Sequence, residues 1–522
     1  MTDENKSNSG LKIAILVFDK KLDFLTKNAL ISLIVVGIIG LSVRLFYFPY
    51  NVPLTSDALS AYFFYATDTS ILGHLPSNFA IANNGWPIFL SFFFSIFRFD
   101  NAPDYMTLQR EITISLSILT IIPVYFLCRR FFDKPYALVG AAIFAFEPRI
   151  IQNSLLGITE PLYIIMVASA LVLFFSSNRK MTYASFGIIA LATLVRSEGL
   201  FVFIPLLVMF FIRERKEKAV AKTLLAACIF VLLLLPIAIF RIQVQGNDTM
   251  TGRILYSANQ ILTSPHEGGL FNYVVLSFEN FVKLTGWSTI PIFIFFLPFG
   301  IFFILKNQNY HNMTLIVVII SMMLPVFYGF SFNQDTRYIY PLFPLFCVLS
   351  IFTVKSAVEK VKARNTFLIL IITGILLASG VFLDLKKFDY EHQREAYSIV
   401  HQVINTAKGI NDYYPEDGYI KPAEIPSKWP ILSSDIPSLT SIIPTQGFDS
   451  PEKYIESSKN KGLTHLVVDG AKNRSPFVNE VFYHEEKYPY LIKVFDSWDY
   501  GYKYHVKMYK IDYTKLESSY DQ

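Results

Sequence analysis

Apolar runs recur along most of this chain, separated by loops that are basic at every second turn. A spanning helix needs roughly 20 predominantly apolar residues. Runs near that length fall at residues 28–48, 107–128, 136–151, 161–175, 181–195, 200–212, 224–240, 288–305, 313–330, 338–354 and 367–383. In lipid a backbone must satisfy its own hydrogen bonds, so each run is confined to a helix. Alternate loops carry Arg129, Arg130 and Lys134; Arg179 and Lys180; Arg213, Arg215, Lys216, Lys218 and Lys222; Lys306; then Lys355, Lys360, Lys362 and Arg364. Lys and Arg collect on the cytoplasmic side. The pattern therefore predicts about eleven spans, with the N-terminus cytoplasmic and the C-terminus outside.

Composition agrees: 53% of residues are hydrophobic and 17% charged, where soluble domains carry about 25% charged residues. The net charge of +5 is spread over short loops and gives no nucleic-acid surface. Cys128, Cys228 and Cys347 all lie inside apolar runs, so neither a disulfide framework nor a Cys/His zinc spacing is present. These features predict an integral protein of the plasma (cell) membrane. Lys6, Lys12, Lys20, Lys21 and Lys27 precede a run too long for a signal-peptide core, so that run is expected to remain as an anchor.

Three parts follow: a cytoplasmic segment 1–27, a membrane domain 28–384 with a long first external loop 49–106, and an extracytoplasmic α/β domain 385–522. In the last, residues 464–469 and 491–496 read as strands and 500–512 as a final strand or hairpin. Ser450 before Pro451 and Glu452 reads as a helix start.

On this topology Asp57, Glu147, Glu160, Arg196, Glu198, Asp335 and Arg337 gather at one membrane face, each near the end of an apolar run. Charges near lipid are costly and mark function by default. Asp57 lies just outside the first span and can act as a general base at a membrane-surface site; Ser56-Asp57 also suits a plain helix N-cap. Tyr62 belongs to an aromatic run after it, and Trp86 opens the segment 86–97, apolar but too short to span, which is expected to lie along the interface as a lid. Thr159 and Glu160 head a helix and read first as capping residues. Glu147 and Arg149 suit a simple pair.

Residues 181–212 are broken only by Arg196-Ser197-Glu198-Gly199. At about 1.5 Å per residue this is too long for one span and short for two with a loop, so two short helices should meet at a tight turn. An Arg held there can bind phosphate, or can pair with Glu198. Asn333-Gln334-Asp335-Thr336-Arg337-Tyr338 puts a second Arg at the outer end of another span; an interfacial Arg/Tyr belt is the simpler alternative. His266-Glu267 is a weak metal signal. Trp498-Asp499-Tyr500-Gly501 overlaps the acceptor signature of oligosaccharyltransferases, but Ser497 stands where a second Trp would be, and a turn explains it adequately.

The order of these elements resembles the GT-C class of integral-membrane glycosyltransferases, especially the protein-mannosyltransferase and aminoarabinose-transferase-like branch. The resemblance is carried by Asp57 after the first span, Gly157-Ile158-Thr159-Glu160, Arg196-Ser197-Glu198-Gly199-Leu200, and Arg337-Tyr338 followed by Pro341 and Pro344. It implies a polyprenyl-phosphate-linked sugar as donor and a lipid, glycan or protein acceptor on the outer face. It further implies Asp57 as base and Glu160 as second carboxylate, orienting the acceptor or helping to hold a divalent cation. Arg196 and Arg337 would neutralise the leaving phosphate. Glu198, Asp335, Tyr338, Tyr62 and Trp86 would line the substrate site. Sugar, acceptor and metal requirement are not legible. An oligosaccharyltransferase would have more spans and a larger C-terminal domain. A transporter would place its polar residues at the midplane between repeats, and no repeat is present.

Overall fold

The computed structural model describes residues 28–520, apart from 51, 55–57, 77–80, 100–101, 216–217, 249–268, 360–362, 388–389, 392–393, 397, 400–401, 404–405, 407–447, 461–462 and 471–474. Asp57, His266 and Glu267 lie outside the described residues.

The membrane part is helical. In chain order it contains α1 (Ala29–Phe46), α2 (Phe64–Leu72), α3 (Gly85–Ile96), α4 (Ala102–Leu119), α5 (Ile121–Arg129), α6 (Lys134–Phe146), α7 (Pro148–Ser154) and α8 (Glu160–Phe174). It continues with α9 (Arg179–Val195), α10 (Leu200–Glu214), α11 (Ala219–Gln245), α12 (Gly269–Thr289), α13 (Phe293–Lys306), α14 (Tyr310–Tyr328), α15 (Phe343–Val358) and α16 (Arg364–Leu385). The apolar runs fall in helical stretches, but 107–128 is divided between α4 and α5, 288–305 crosses the break between α12 and α13, and 338–354 begins in a 3-10 helix at Thr336–Leu342. Six helices among the described residues have the length and apolarity to cross a membrane, and a pair bent by 108° at 289–293 makes a seventh. The others are shorter, with α6 at 13 residues and α8 at 15.

One run is corrected. The stretch 136–151 is not one helix: Glu147 is extended, at φ −62° and ψ 116°, and Pro148 restarts the chain as α7. The residue before proline is pushed out of the helical region, so Pro148 turns the end of a span into a corner.

The core is built around α6, whose residues from Tyr136 to Phe146 are all buried. A helix apolar on all sides belongs inside a bundle. Gly140, Ala141, Ala142 and Ala145 lie along it, and small residues let helix backbones approach where no hydrophobic force separates helix from lipid. By contrast α11 buries only Ala219, Ala226, Phe230 and Arg241, leaving a lipid-facing exterior. Arg44 ties α1 to this core, donating to the carbonyls of Gly40 and Ala145 at 2.9 and 3.0 Å and to the Ser117 hydroxyl at 2.9 Å.

Near the C-terminus, β1 (His465–Asp469), β2 (Leu491–Asp496) and β3 (Val506–Ile511) form an antiparallel sheet in the order β1-β3-β2. Helices Pro451–Lys459, Pro476–Tyr483 and Tyr513–Tyr520 accompany it. Ser450 caps the first of them, its hydroxyl accepting from the Lys453 amide at 3.3 Å. Asp496 caps the single turn Ser497–Tyr500, and Gly501 follows at φ +76°, so Trp498-Asp499-Tyr500-Gly501 is a turn in this domain.

Candidate active site

Helix α9 ends at Val195, a single 3-10 turn covers Ser197–Gly199, and α10 begins at Leu200. This is the tight turn expected from the unbroken apolar sequence. It holds Arg196 in an extended conformation, φ −148° and ψ 128°, which aims the guanidinium away from both helices.

The guanidinium of Arg196 is shared between two carboxylates. Its Nη1 donates to Glu160 Oε1 and its Nη2 to Glu198 Oε1, the latter at 2.8 Å. Glu160 is 1% exposed and Glu198 16%, so the cluster is largely out of water. Removing ions from water costs several kcal/mol each, repaid only by good geometry; a guanidinium fork between two carboxylates supplies it. Glu160, in the first turn of α8, is thus held by Arg196, and Thr159 makes no side-chain cap bond there. Its hydroxyl instead lies 3.4 Å from both Glu160 Oε2 and Arg196 Nη1.

The ring of Tyr338 lies against Arg196, with its centroid 5.3 Å from the guanidinium carbon, a cation–π contact. Next to it Arg337 forks onto Asp335, at 2.7 Å from Nε and 2.6 Å from Nη2. The fold thus brings together Glu160, Arg196, Glu198 and Tyr338 directly, with the Asp335–Arg337 pair alongside. Two buried atoms here, Arg196 Nε and the Tyr163 hydroxyl, have no hydrogen-bond partner among the described residues.

Trp86 is 0% exposed and packed in the core, stacked on Phe89 at 6.1 Å. The indole is therefore a packing element in this conformation, with no face open to a substrate. The exposed side of its helix α3 consists of Phe92 and Ile96, with Phe97 following. Tyr62 is half-buried against the same core.

Several functional positions carry no motif. Gln109 donates to the carbonyls of Gly157 at 2.6 Å and Ala58 at 3.2 Å. Arg110 donates to those of Leu155 at 3.1 Å and Pro53 at 2.7 Å, and to Val52. Helix α4 so pins both chain segments flanking 55–57 to the turn that leads into Glu160. Gly157 makes that turn at φ +73°, where a Cβ would also sit 2.9 Å from Leu54 Cδ2. The only sequence signal was a pair of polar residues at the start of an apolar run.

Arg241 is 2% exposed. It donates to Asn84 Oδ1 at 2.8 Å and Ala82 O at 2.5 Å, and pairs with Asp248 at 3.2 Å. Asn84 in turn donates to the Tyr65 hydroxyl at 2.9 Å. Burial pushes the Tyr65 phenol up to about 12 and the Asp68 carboxyl up to about 7. Beside this network Gly85 abuts the end of α9: a Cβ there would be 2.7 Å from the Val195 nitrogen. Residues 82–85 are thereby seated against the end of α9 that leads into Arg196. Glu147 and Arg149 do adjoin, the Arg149 amide lying 3.5 Å from Glu147 Oε1. The Arg149 side chain goes elsewhere, to Trp287 O at 2.5 Å and over the Trp287 and Phe382 rings.

No set of three or more His, Cys, Asp or Glu side chains that could hold a metal occurs among the described residues.

The sequence model of the dolichyl-phosphate-mannose-protein mannosyltransferase family matches residues 86–240, and that of the Alg9-like mannosyltransferase family matches residues 281–425. No curated protein matches the chain. Among solved structures, ArnT from Cupriavidus metallidurans bound to undecaprenyl phosphate has a TM-score of 0.61 at 10% identity, over 92% of this chain and 97% of that one. The Archaeoglobus fulgidus oligosaccharyltransferase in complex with Zn and sulfate gives 0.55 at 15% identity, over 86% and 70%. AglB from the same organism, with an inhibitory peptide and a dolichol-phosphate, gives 0.54 at 14%, over 84% and 69%. The fold is that of the GT-C glycosyltransferases, and with both family matches the chain is an integral-membrane enzyme of the glycosyltransferase class.

Proposed function

We propose that this protein is an inverting glycosyltransferase that moves a sugar from a polyprenyl-phosphate donor to an acceptor hydroxyl at the outer face of the cell membrane. In this reading about eleven helices span the bilayer. The N-terminus is cytoplasmic, loop 49–106 is external, and residues 385–522 form an extracytoplasmic domain. The observation that carries it is the Glu160–Arg196–Glu198 cluster, buried at a turn between two short apolar helices. A structural ion pair needs one carboxylate per guanidinium; here two carboxylates converge on one.

The donor's tail stays in lipid while its sugar enters beside this turn. Asp57 removes the proton of the acceptor hydroxyl as its oxygen attacks the anomeric carbon, and the bond from that carbon to phosphate oxygen breaks with inversion. The phosphate leaves with the bonding electrons. Its charge is met by Arg196 and Arg337, in a site where low dielectric strengthens such interactions. Glu160 and Glu198 fix the direction of Arg196. Tyr338 and Tyr62 line the sugar site, and the loop carrying Trp86 excludes water. Support for placing Asp57 here comes from its flanks, since Gln109 joins Ala58 to the Gly157 turn. The described residues do not by themselves build a metal site, so no step is routed through a divalent cation.

The test is transfer of radiolabelled sugar from polyprenyl-phosphate donors in reconstituted vesicles. Asp57→Asn should lower the rate by about 10²–10⁴-fold with unchanged melting. Near-wild-type turnover of that variant removes Asp57 from the mechanism, and label crossing the bilayer without transfer removes the enzyme reading. A second reading, transfer of an oligosaccharide to a peptide, draws on the likeness to the Archaeoglobus fulgidus enzyme over 86% of this chain. It predicts glycopeptide formation from lipid-linked oligosaccharide, where the favoured reading predicts transfer of a single sugar.

A further inference from the structure

At the end of the bundle away from the candidate active site lies a cavity of about 530 Å³, lined by Arg130, Lys306, Gln308, Asn309, His311 and Asn312 among others. Its position follows from α8. That helix begins at Glu160, and the Val172 carbonyl near its other end accepts from Arg130 Nη2 at 3.1 Å. From Glu160 to Val172, on one helix, the rise of about 1.5 Å per residue separates the two sites by about 18 Å, more than half of a bilayer's hydrocarbon core.

The lining is cationic and rich in amides. Neither Arg130 nor Lys306 has a carboxylate partner among the described residues. The rim is held in shape: Asn309 Oδ1 accepts from the Asn312 amide at 2.8 Å, and Asn312 Nδ2 donates to Asn307 O at 2.5 Å. The cavity thus also receives the positive end of α14, a helix of 19 residues. His311 is lodged between the Phe131 and Phe175 rings at 6.1 and 5.0 Å, which makes one wall rigid.

We propose that this cavity binds the phosphodiester headgroup of an anionic lipid in the leaflet opposite the catalytic one. A free phosphate offers the same anionic oxygens, but the flanks favour a lipid. Phe302 and Leu305 are 62% and 51% exposed just before Lys306, and Phe126 is 50% exposed one turn before Arg130. An acyl chain lying along these apolar flanks delivers its headgroup to both cations, the arrangement by which basic pockets at helix ends hold lipid headgroups.

The experiment uses the full chain in detergent. Retained dioleoylphosphatidylglycerol and dioleoylphosphatidylcholine are counted per protein by mass spectrometry, with melting temperature as a check on folding. Wild type should prefer the phosphatidylglycerol. Arg130→Gln and Lys306→Gln should each reduce that preference by about fivefold, the factor corresponding to one basic residue near an anionic surface. The charge-conserving variant Arg130→Lys with Lys306→Arg should keep it. Unchanged preference in the double Gln variant, with intact melting, overturns the proposal. Protection of wild type by inorganic phosphate alone, equal to that by phosphatidylglycerol, overturns the lipid assignment in favour of a soluble anion.

Discussion

Glu160 and Arg196 lie 36 residues apart in the chain and form a buried ion pair, and the turn that supplies Arg196 also supplies Glu198 to the other side of the same guanidinium. The cluster carries two negative charges against one positive.

Arg196→Ala should therefore cost more than activity. It leaves two carboxylates facing each other without a counter-ion, and breaking a buried pair costs about 3–5 kcal/mol. Melting in detergent should fall sharply for Arg196→Ala and recover in the triple variant with Glu160→Gln and Glu198→Gln. Sugar transfer should stay absent in both. Recovery of transfer along with stability would show that the cluster only holds the fold.

Gln109→Leu removes the two donors that join Ala58 to Gly157. Loss of hydrogen bonds to buried carbonyls costs about 1–3 kcal/mol. The expected outcome is a lower rate of transfer at saturating donor, because the segment bearing Asp57 is no longer fixed against the Glu160 turn. A change in donor KM alone would contradict this positioning role.

Asp68 gives a pH signature. It is 8% exposed, has no hydrogen-bond partner among the described residues, and burial raises its carboxyl from 3.8 to about 7. Between those values the folded chain keeps a proton that the unfolded chain has released. Stability is then fully present at low pH and falls as pH rises toward 7, by up to about 4 kcal/mol. Asp68→Asn should flatten this slope, measured as melting temperature against pH. A slope that survives the substitution would assign it to another group.

Arg241→Gln should loosen the segment that leads into α3. The guanidinium joins Ala82 and Asn84 to Asp248, and taking the donor away from the Ala82 carbonyl and the buried Asn84 Oδ1 is costly. Faster proteolysis within 81–85 is expected, and Arg241→Lys should restore protection only in part, since an ammonium cannot reproduce the fork. Equal cleavage of wild type and Arg241→Gln would show that the loop is held elsewhere.

The membrane part was legible because lipid leaves the backbone one solution. The apolar runs became helices, some of them broken, as Pro148 breaks 136–151 where the local rule says a helix ends. The three strands near the C-terminus fell on alternating or β-branched segments such as Leu466-Val467-Val468. The turn at Arg196 followed from length alone. Site chemistry was legible only as far as charge is costly near lipid: Glu160, Arg196, Glu198, Asp335 and Arg337 stood out for that reason. Gln109 and Asn84 did not, since their partners are backbone groups or side chains far away in sequence. Trp86 was misleading because an aromatic in a short apolar segment looks the same whether it faces a ligand or the core.

What the sequence determined by itself, then, is where helices lie and which charges sit at their ends, because period, length and the cost of burying charge are local properties. Only the tertiary structure decided that Arg196 serves two carboxylates, that Tyr338 covers it, that Gln109 joins Ala58 to Gly157, and that Arg241 holds Ala82 and Asn84. Those relations depend on the angles and spacing at which α4, α8, α9 and α11 pack, and such packing comes from the fit of many small and large side chains together, which no single segment of the chain encodes.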